Sequence, residues 1–173
     1  MKSAIDVTDL EFIDFLNNLR ESDTVEIYTD GSCIGNPGPG GWGAVFTVHE
    51  KRSTLSGFEK DTTNNRMELL AAISAINAMP KQVAIIIYTD SSYVKNGITT
   101  WIRNWKNNNW ISSSGKPVKN QDLWEELSES IKDRNVEWVW VKGHAECTNN
   151  NNADFVARSA IISSYMQGED LVR

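Results

Sequence analysis

Ile27-Tyr28-Thr29-Asp30-Gly31-Ser32-Cys33-Ile34-Gly35-Asn36-Pro37-Gly38-Pro39-Gly40-Gly41-Trp42-Gly43 joins two runs of strand-forming residues, Val25 to Thr29 and Ala44 to Val48. β-Branched and aromatic residues favour a pleated strand, and Gly and Pro favour turns, so the segment reads as a hairpin with a carboxylate, Asp30, at its mouth. Gly38, Gly40 and Gly43 match the spacing of a dinucleotide-binding fingerprint. That fingerprint must open a helix, whereas four of the five residues after Gly43 are β-branched or aromatic. The nucleotide reading is rejected, and the glycines are expected to make the turn or to let the backbone approach something bulky.

On the N-terminal side, Thr8-Asp9-Leu10-Glu11 has the form of a capping box, and Leu10, Ile13, Leu16 and Leu19 continue an apolar stripe, predicting a short amphipathic helix over about 8–20. Such a helix packs on its own domain or docks on another protein. On the C-terminal side, Ser53 to Phe58 supplies a third antiparallel strand. Asp61 to Asn65 then offers capping residues before the helical run Arg66 to Ile76, which ends ahead of Pro80. Val83 to Tyr88 is a continuous apolar run suited to a central strand, and it too finishes on an acid, Asp90. Short helices are expected near 91–97 and 100–107, a helix over 121–134, a strand over 136–141, and a last helix from Ala153 to about Tyr165. The fold class is α/β, a mixed five-stranded sheet flanked by helices, divided as an N-terminal extension (1–22), a main domain (23–166) and a C-terminal tail (167–173).

The 173 residues suit one such domain, and no apolar run approaches the roughly 20 residues of a membrane helix. With no charged, apolar, then small-residue leader, and only Cys33 and Cys147, the chain is expected to be soluble, monomeric and cytoplasmic. Two histidines and no CxxC argue against structural zinc. The net charge of −6 is segregated: residues 1–30 hold eight acids against two bases, and the remainder is balanced. Residues 91–121 carry Lys95, Arg103, Lys106, Lys116 and Lys119 and no acid, so a basic surface is possible despite the acidic total.

Open α/β sheets place their sites at the C-terminal ends of strands. Asp30 and Asp90 lie at such ends, Glu68 lies one turn into the helix that follows, and Asp154 opens the last helix. Each alone has an ordinary explanation as a cap, a dipole partner or a solvated residue. Together they could not all stay ionised in one crevice without a compensating charge, and oxygen-only ligands suit Mg²⁺ or Mn²⁺ rather than zinc. A pair of ions about 3.5–4 Å apart would serve an in-line phosphoryl displacement.

The chain resembles type 1 ribonucleases H, nearest to the bacterial enzymes. The resemblance runs from about Val25 to Ala160 and rests on Tyr28-Thr29-Asp30-Gly31-Ser32, Gly35 to Gly41, Thr62 to Leu69, Thr89-Asp90-Ser91, Trp138 to His144 and Ala153-Asp154. It implies the ribonuclease H-like fold and two-ion hydrolysis of the RNA strand of RNA–DNA hybrids, giving 5′-phosphate and 3′-hydroxyl ends. Asp30, Glu68, Asp90 and Asp154 would then be the catalytic carboxylates holding two Mg²⁺, with Mn²⁺ a possible substitute, and His144 would assist proton transfer or product release. The resemblance further implies that Asn36, Thr63 and Asn64 contact sugar and phosphate, and that Trp101 and Trp105, with Lys106 and Lys119, grip the DNA strand from a basic protrusion. Trp124 and Trp140 are expected in the core.

The chain departs from that pattern in two places. Asn107 to Asn109 and Ser112 to Ser114 occupy much of the protrusion, where bacterial relatives carry more Lys and Arg. Glu146 follows the His-Ala pair in place of Gly, and Asn151 stands where an acid is common before the last Asp. A non-catalytic hybrid-binding module would gain only repulsion from four carboxylates, and a strand-transfer enzyme of the same superfamily would need further DNA-binding domains.

Overall fold

The computed structural model describes residues 9–142 and 148–170. The chain runs α1 (Asp9–Asn17), β1 (Thr24–Cys33), β2 (Gly38–Val48), β3 (Lys51–Thr62), α2 (Asn64–Ala78), β4 (Ala84–Thr89) and α3 (Ser92–Asn96). A π-type turn over Gly97–Trp101 carries α3 into α4 (Ile102–Asn107), followed by α5 (Gln121–Ile131), β5 (Val136–Trp140) and α6 (Thr148–Asp170). One mixed sheet in the order β3-β2-β1-β4-β5 holds the molecule together. β1, β2 and β3 pair antiparallel, and β1-β4 and β4-β5 pair parallel. This is the five-stranded α/β arrangement expected from the strand and helix periodicities.

The first hairpin differs in where it turns. The glycine run is not the turn but the first half of β2: Gly40, Gly41 and Gly43 pair with Cys33, Ser32 and Asp30. The reversal is confined to residues 34–37, closed by Ile34 N–H donating to Pro39 O at 2.8 Å, with Gly35 at φ +83° and a cis Asn36-Pro37 bond. Glycines with no side chain can extend as readily as turn, and here a partner strand on each side decides the matter.

α2 starts where the sequence supplies a cap. Thr63 holds an extended conformation and its Oγ1 accepts from Arg66 N–H at 3.3 Å. The helix stops before Pro80, and the carbonyls of Met79 and Pro80 accept from the Arg134 guanidinium at 2.9 and 3.3 Å. Val25, Ile27, Phe46, Leu69, Ile73, Ile76, Ile85, Ile87, Trp124 and Leu127 are all buried between sheet and helices. Each such side chain contributes about 1.5–3 kcal/mol of transfer free energy.

α1 packs on its own domain. The expected stripe is only half used: Leu16 and Leu19 pack against the core but Leu10 and Ile13 are exposed, and Phe12 and Phe15 are buried instead, Phe12 meeting the ring of Phe46 edge-on at 5.0 Å. Glu11 and Asp14 line a recess with Lys51 and Arg52 of β3, so acids of the helix sit beside bases of the strand. Among the described residues no helix is long and apolar enough to cross a membrane.

Candidate active site

Three elements deliver carboxylates to the same end of the sheet. β1 and β4 are parallel neighbours in register through Tyr28 with Tyr88 and Thr29 with Thr89, so Asp30 and Asp90 emerge side by side. Glu68 reaches them because α2 lies almost on the backbone of β1. A Cβ at Gly31 would stand 2.5 Å from Glu68 N and 2.6 Å from the Met67 carbonyl carbon, so only glycine permits the approach. Oxygens of Asp30, Glu68 and Asp90 lie within 4.8 Å of one another.

Asp154 comes from α6 and lines the same open cleft of about 430 Å³, together with Ser32, Asn64, Ser91 and Tyr93. It lies outside the tight group of three, and its Oδ1 accepts from Arg158 Nε at 3.1 Å one turn along the helix. α6 reaches this position by resting on the glycines of β2. A Cβ at Gly41 would meet Ala157 O at 2.3 Å, and one at Gly43 would meet Ala153 O at 2.7 Å.

The electrostatics follow from burial. Asp30 is 4% exposed, and desolvation, reinforced by the charges of Asp90 and Asp154, pushes its carboxyl up to about 7 although a hydrogen bond with Glu68 opposes the rise. Glu68 is also held well above the usual range, first by burial and then by Asp30, while Gly31 N–H donates to it. Both carboxyls of the pair therefore hold protons more readily than ordinary carboxylates. Glu68 Oε2 is buried and has no hydrogen-bond partner among the described residues. An oxygen left bare among other acidic oxygens is a coordination position for a hard cation.

The other expected site residues fall into two places. Asn36 Oδ1 accepts from Asn64 N–H at 3.0 Å, beside the cap at Thr63, on the rim near the carboxylates. Trp101 and Trp105 lie on a second recess with Asn104, Asn107 and Ile111. Trp101 is 38% exposed, and its ring stands 5.8 Å from that of Trp105, which in turn leans on Trp110 and the buried Trp124. Lys106 is exposed and donates to Ser128 Oγ, and Lys119 is exposed in the loop before α5. His144 lies outside the described residues.

The expectation for one tryptophan fails. Trp124 is fully buried as anticipated, but Trp140, the last residue of the edge strand β5, is 45% exposed. Its indole Nε1 instead donates to the Asp90 carbonyl at 3.3 Å. Sequence reasoning also passed over Asn150, whose Nδ2 donates to Asp90 Oδ2 at 3.4 Å. It sits within a run of four asparagines in which nothing local marks one from another.

Comparison with known proteins agrees with this architecture. Residues 22–162 match the RNase H family. A Bradyrhizobium diazoefficiens protein named ribonuclease H is 50% identical over 149 residues, which is 86% of this chain and 97% of that protein. A ribonuclease H of Rhodopseudomonas palustris is 52% identical over 143 residues, covering 83% and 89% of the two chains. Among solved structures, LC9-RNase H1, described as a type 1 RNase H with the type 2 active-site motif, superposes with a TM-score of 0.74 at 33% identity, over 82% of this chain and 73% of that one. With its sheet order, its clustered carboxylates and half its residues shared over nearly the full length of these relatives, the chain belongs to the RNase H family.

Proposed function

We propose that this protein is an endoribonuclease that hydrolyses the RNA strand of RNA–DNA hybrids and leaves 5′-phosphate and 3′-hydroxyl ends. The observation that carries the reading is the group of three carboxylates within 4.8 Å at the sheet edge. A binding module has no use for mutually repelling acids held this close together, whereas a hydrolytic centre does.

The donor set fits hard divalent cations, being all oxygen with one buried oxygen unpaired among the described residues. Asp30, Glu68, Asp90 and Asp154 would hold two Mg²⁺, or Mn²⁺ in substitution, and such ions lower the pKa of an attacking water and stabilise the leaving oxygen of an in-line displacement. Asp30 and Glu68 must be deprotonated to hold an ion, so ion binding weakens as pH falls. Arg158 Nε donates to Asp154 Oδ1 across one turn of α6.

Asn64 lines the cleft, with Asn36 hydrogen-bonded to its N–H and Thr63 next to it in the chain, and polar side chains and backbone N–H groups of this kind suit phosphate and 2′-hydroxyl contacts. Trp101 and Trp105, with Lys106 and Lys119, offer the stacking faces and cations that a DNA strand uses. His144 is assigned to proton transfer or product release on the family resemblance. The catalytic unit is taken as 23–166, between an N-terminal extension of 1–22 and a tail of 167–173, acting as a cytoplasmic monomer.

Incubating the protein with end-labelled hybrid, double-stranded RNA and double-stranded DNA, with Mg²⁺ or with EDTA, tests the reading. Cleavage confined to the RNA of the hybrid, dependent on Mg²⁺ and ending in 5′-phosphate, is expected. Retention of intact hybrid would identify a binding module, and joined DNA products would identify strand transfer.

A further inference from the structure

One buried side chain reaches the carboxylates without carrying a charge. Asn150, in the first turn of α6, is 1% exposed, and its Nδ2 donates to Asp90 Oδ2 at 3.4 Å. An amide oxygen turned toward a carboxylate would repel it, so the nitrogen is the end that faces Asp90. The remaining Oδ1 is buried and has no partner among the described residues. Alanine at this place would be the better helix former, so helix propensity does not account for the residue.

Its location does. α6 rests on β2 through Gly41 and Gly43, which sets the height of the helix above the hairpin. That contact says nothing about how far the helix stands from β4, two strands along the sheet order from β2. Among the described hydrogen bonds, the one from Asn150 ties α6 to the end of β4, and Asp154 lies on the same helix four residues further on. Asp90 is held a second time by Trp140 Nε1 on its carbonyl, so its backbone is fixed from β5 and its side chain from α6. The amide engages Oδ2 and leaves the second carboxylate oxygen free of that bond.

We infer that Asn150 is a positioning residue that sets the separation between the Asp90 and Asp154 carboxylates and so the affinity of the cleft for divalent cations. A neutral donor suits the task, since a lysine or arginine there would compete with the cations and an acid would add to the repulsion. The inference rests on the proposed cation-dependent hydrolysis.

The experiment compares the whole protein with Asn150→Ala and Asn150→Asp, the second keeping the shape of the side chain while removing the donor. Mg²⁺ dissociation constants are measured by calorimetry without nucleic acid, kcat and KM on the hybrid, and unfolding midpoints in EDTA. Asn150→Ala is expected to weaken Mg²⁺ about tenfold and to lower kcat about 10–100-fold. KM for the hybrid should move less than about threefold, because the residue touches no substrate. The midpoint should stay within about 4 °C. Asn150→Asp should lower kcat to a similar degree. Unchanged Mg²⁺ affinity and kcat in Asn150→Ala, or a wild-type kcat in Asn150→Asp, would overturn the inference. A wild-type protein that binds Mg²⁺ yet cleaves no hybrid would overturn the proposed function instead, and the ratio of Mg²⁺ constants would still decide the role of Asn150.

Discussion

At Asp30 folding and ion binding are set against each other. A carboxyl that titrates at about 7 in the folded chain and near its ordinary 3.8 when unfolded holds more protons in the folded state between those values. Its contribution to stability is therefore complete below about pH 4 and is lost as pH rises through about 7. Urea unfolding in EDTA across pH 4–9 should show stability falling over that window. Asp30→Asn should flatten the fall and gain about 2 kcal/mol at pH 8, while removing hydrolysis at saturating hybrid. Mg²⁺ should then raise the wild-type midpoint more than that of the variant. Trp140 acts on a neighbouring acid through its backbone. Trp140→Phe removes the donor to Asp90 and little buried area, so kcat should fall about two- to fivefold, with stability changed by less than about 1 kcal/mol in thermal unfolding.

At the scale of elements, two contacts place the site. α6 lies so close on β2 that Gly41→Ala would force its new methyl into the Ala157 carbonyl and lift the helix that carries Asp154. A displacement near 1 Å at a catalytic group costs on the order of a hundredfold in rate, so single-turnover cleavage should fall by roughly that factor. α1 should behave in the opposite way. Phe12→Ala removes a ring packed on Phe46, far in sequence from every carboxylate of the cleft but Asp30, and should cost about 3 kcal/mol in urea unfolding. Its kcat should stay within about twofold of wild type when folded protein is compared. The helix α1 was legible from its cap and spacing, but its buried face was not: Leu10 and Ile13 of the expected stripe are exposed, and Phe12 and Phe15 are buried in their place. Phe12 and Phe15 needed Phe46, more than thirty residues away, to become a core.

Over the whole molecule the charge is divided between an acidic N-terminal portion and a segment, 91–121, with five bases and no acid. Each phosphate neutralised on a duplex contributes roughly 0.9 to the slope of log affinity against log salt, so five bases bound the slope at a magnitude of about 4.5. Filter binding of a hybrid in EDTA between low and moderate salt should give a slope no steeper than this. The cations are spread around a recess of tryptophan and asparagine, and stacking is expected to supply the part of the affinity that salt does not remove.

By itself the sequence determined the strand and helix order, the five-stranded α/β class, the family resemblance and the four acids, because period, caps and strand-end carboxylates are written within a few residues of one another. The tertiary structure decided what depends on distant partners. Neighbouring strands made the glycine run β2 rather than a turn, and the sheet margin left Trp140 exposed and bonded to Asp90. A carboxylate sixty residues away gave one asparagine of four its place beside the cleft. Local propensity cannot encode such contacts, since each exists only once the chain has closed the loop between its ends.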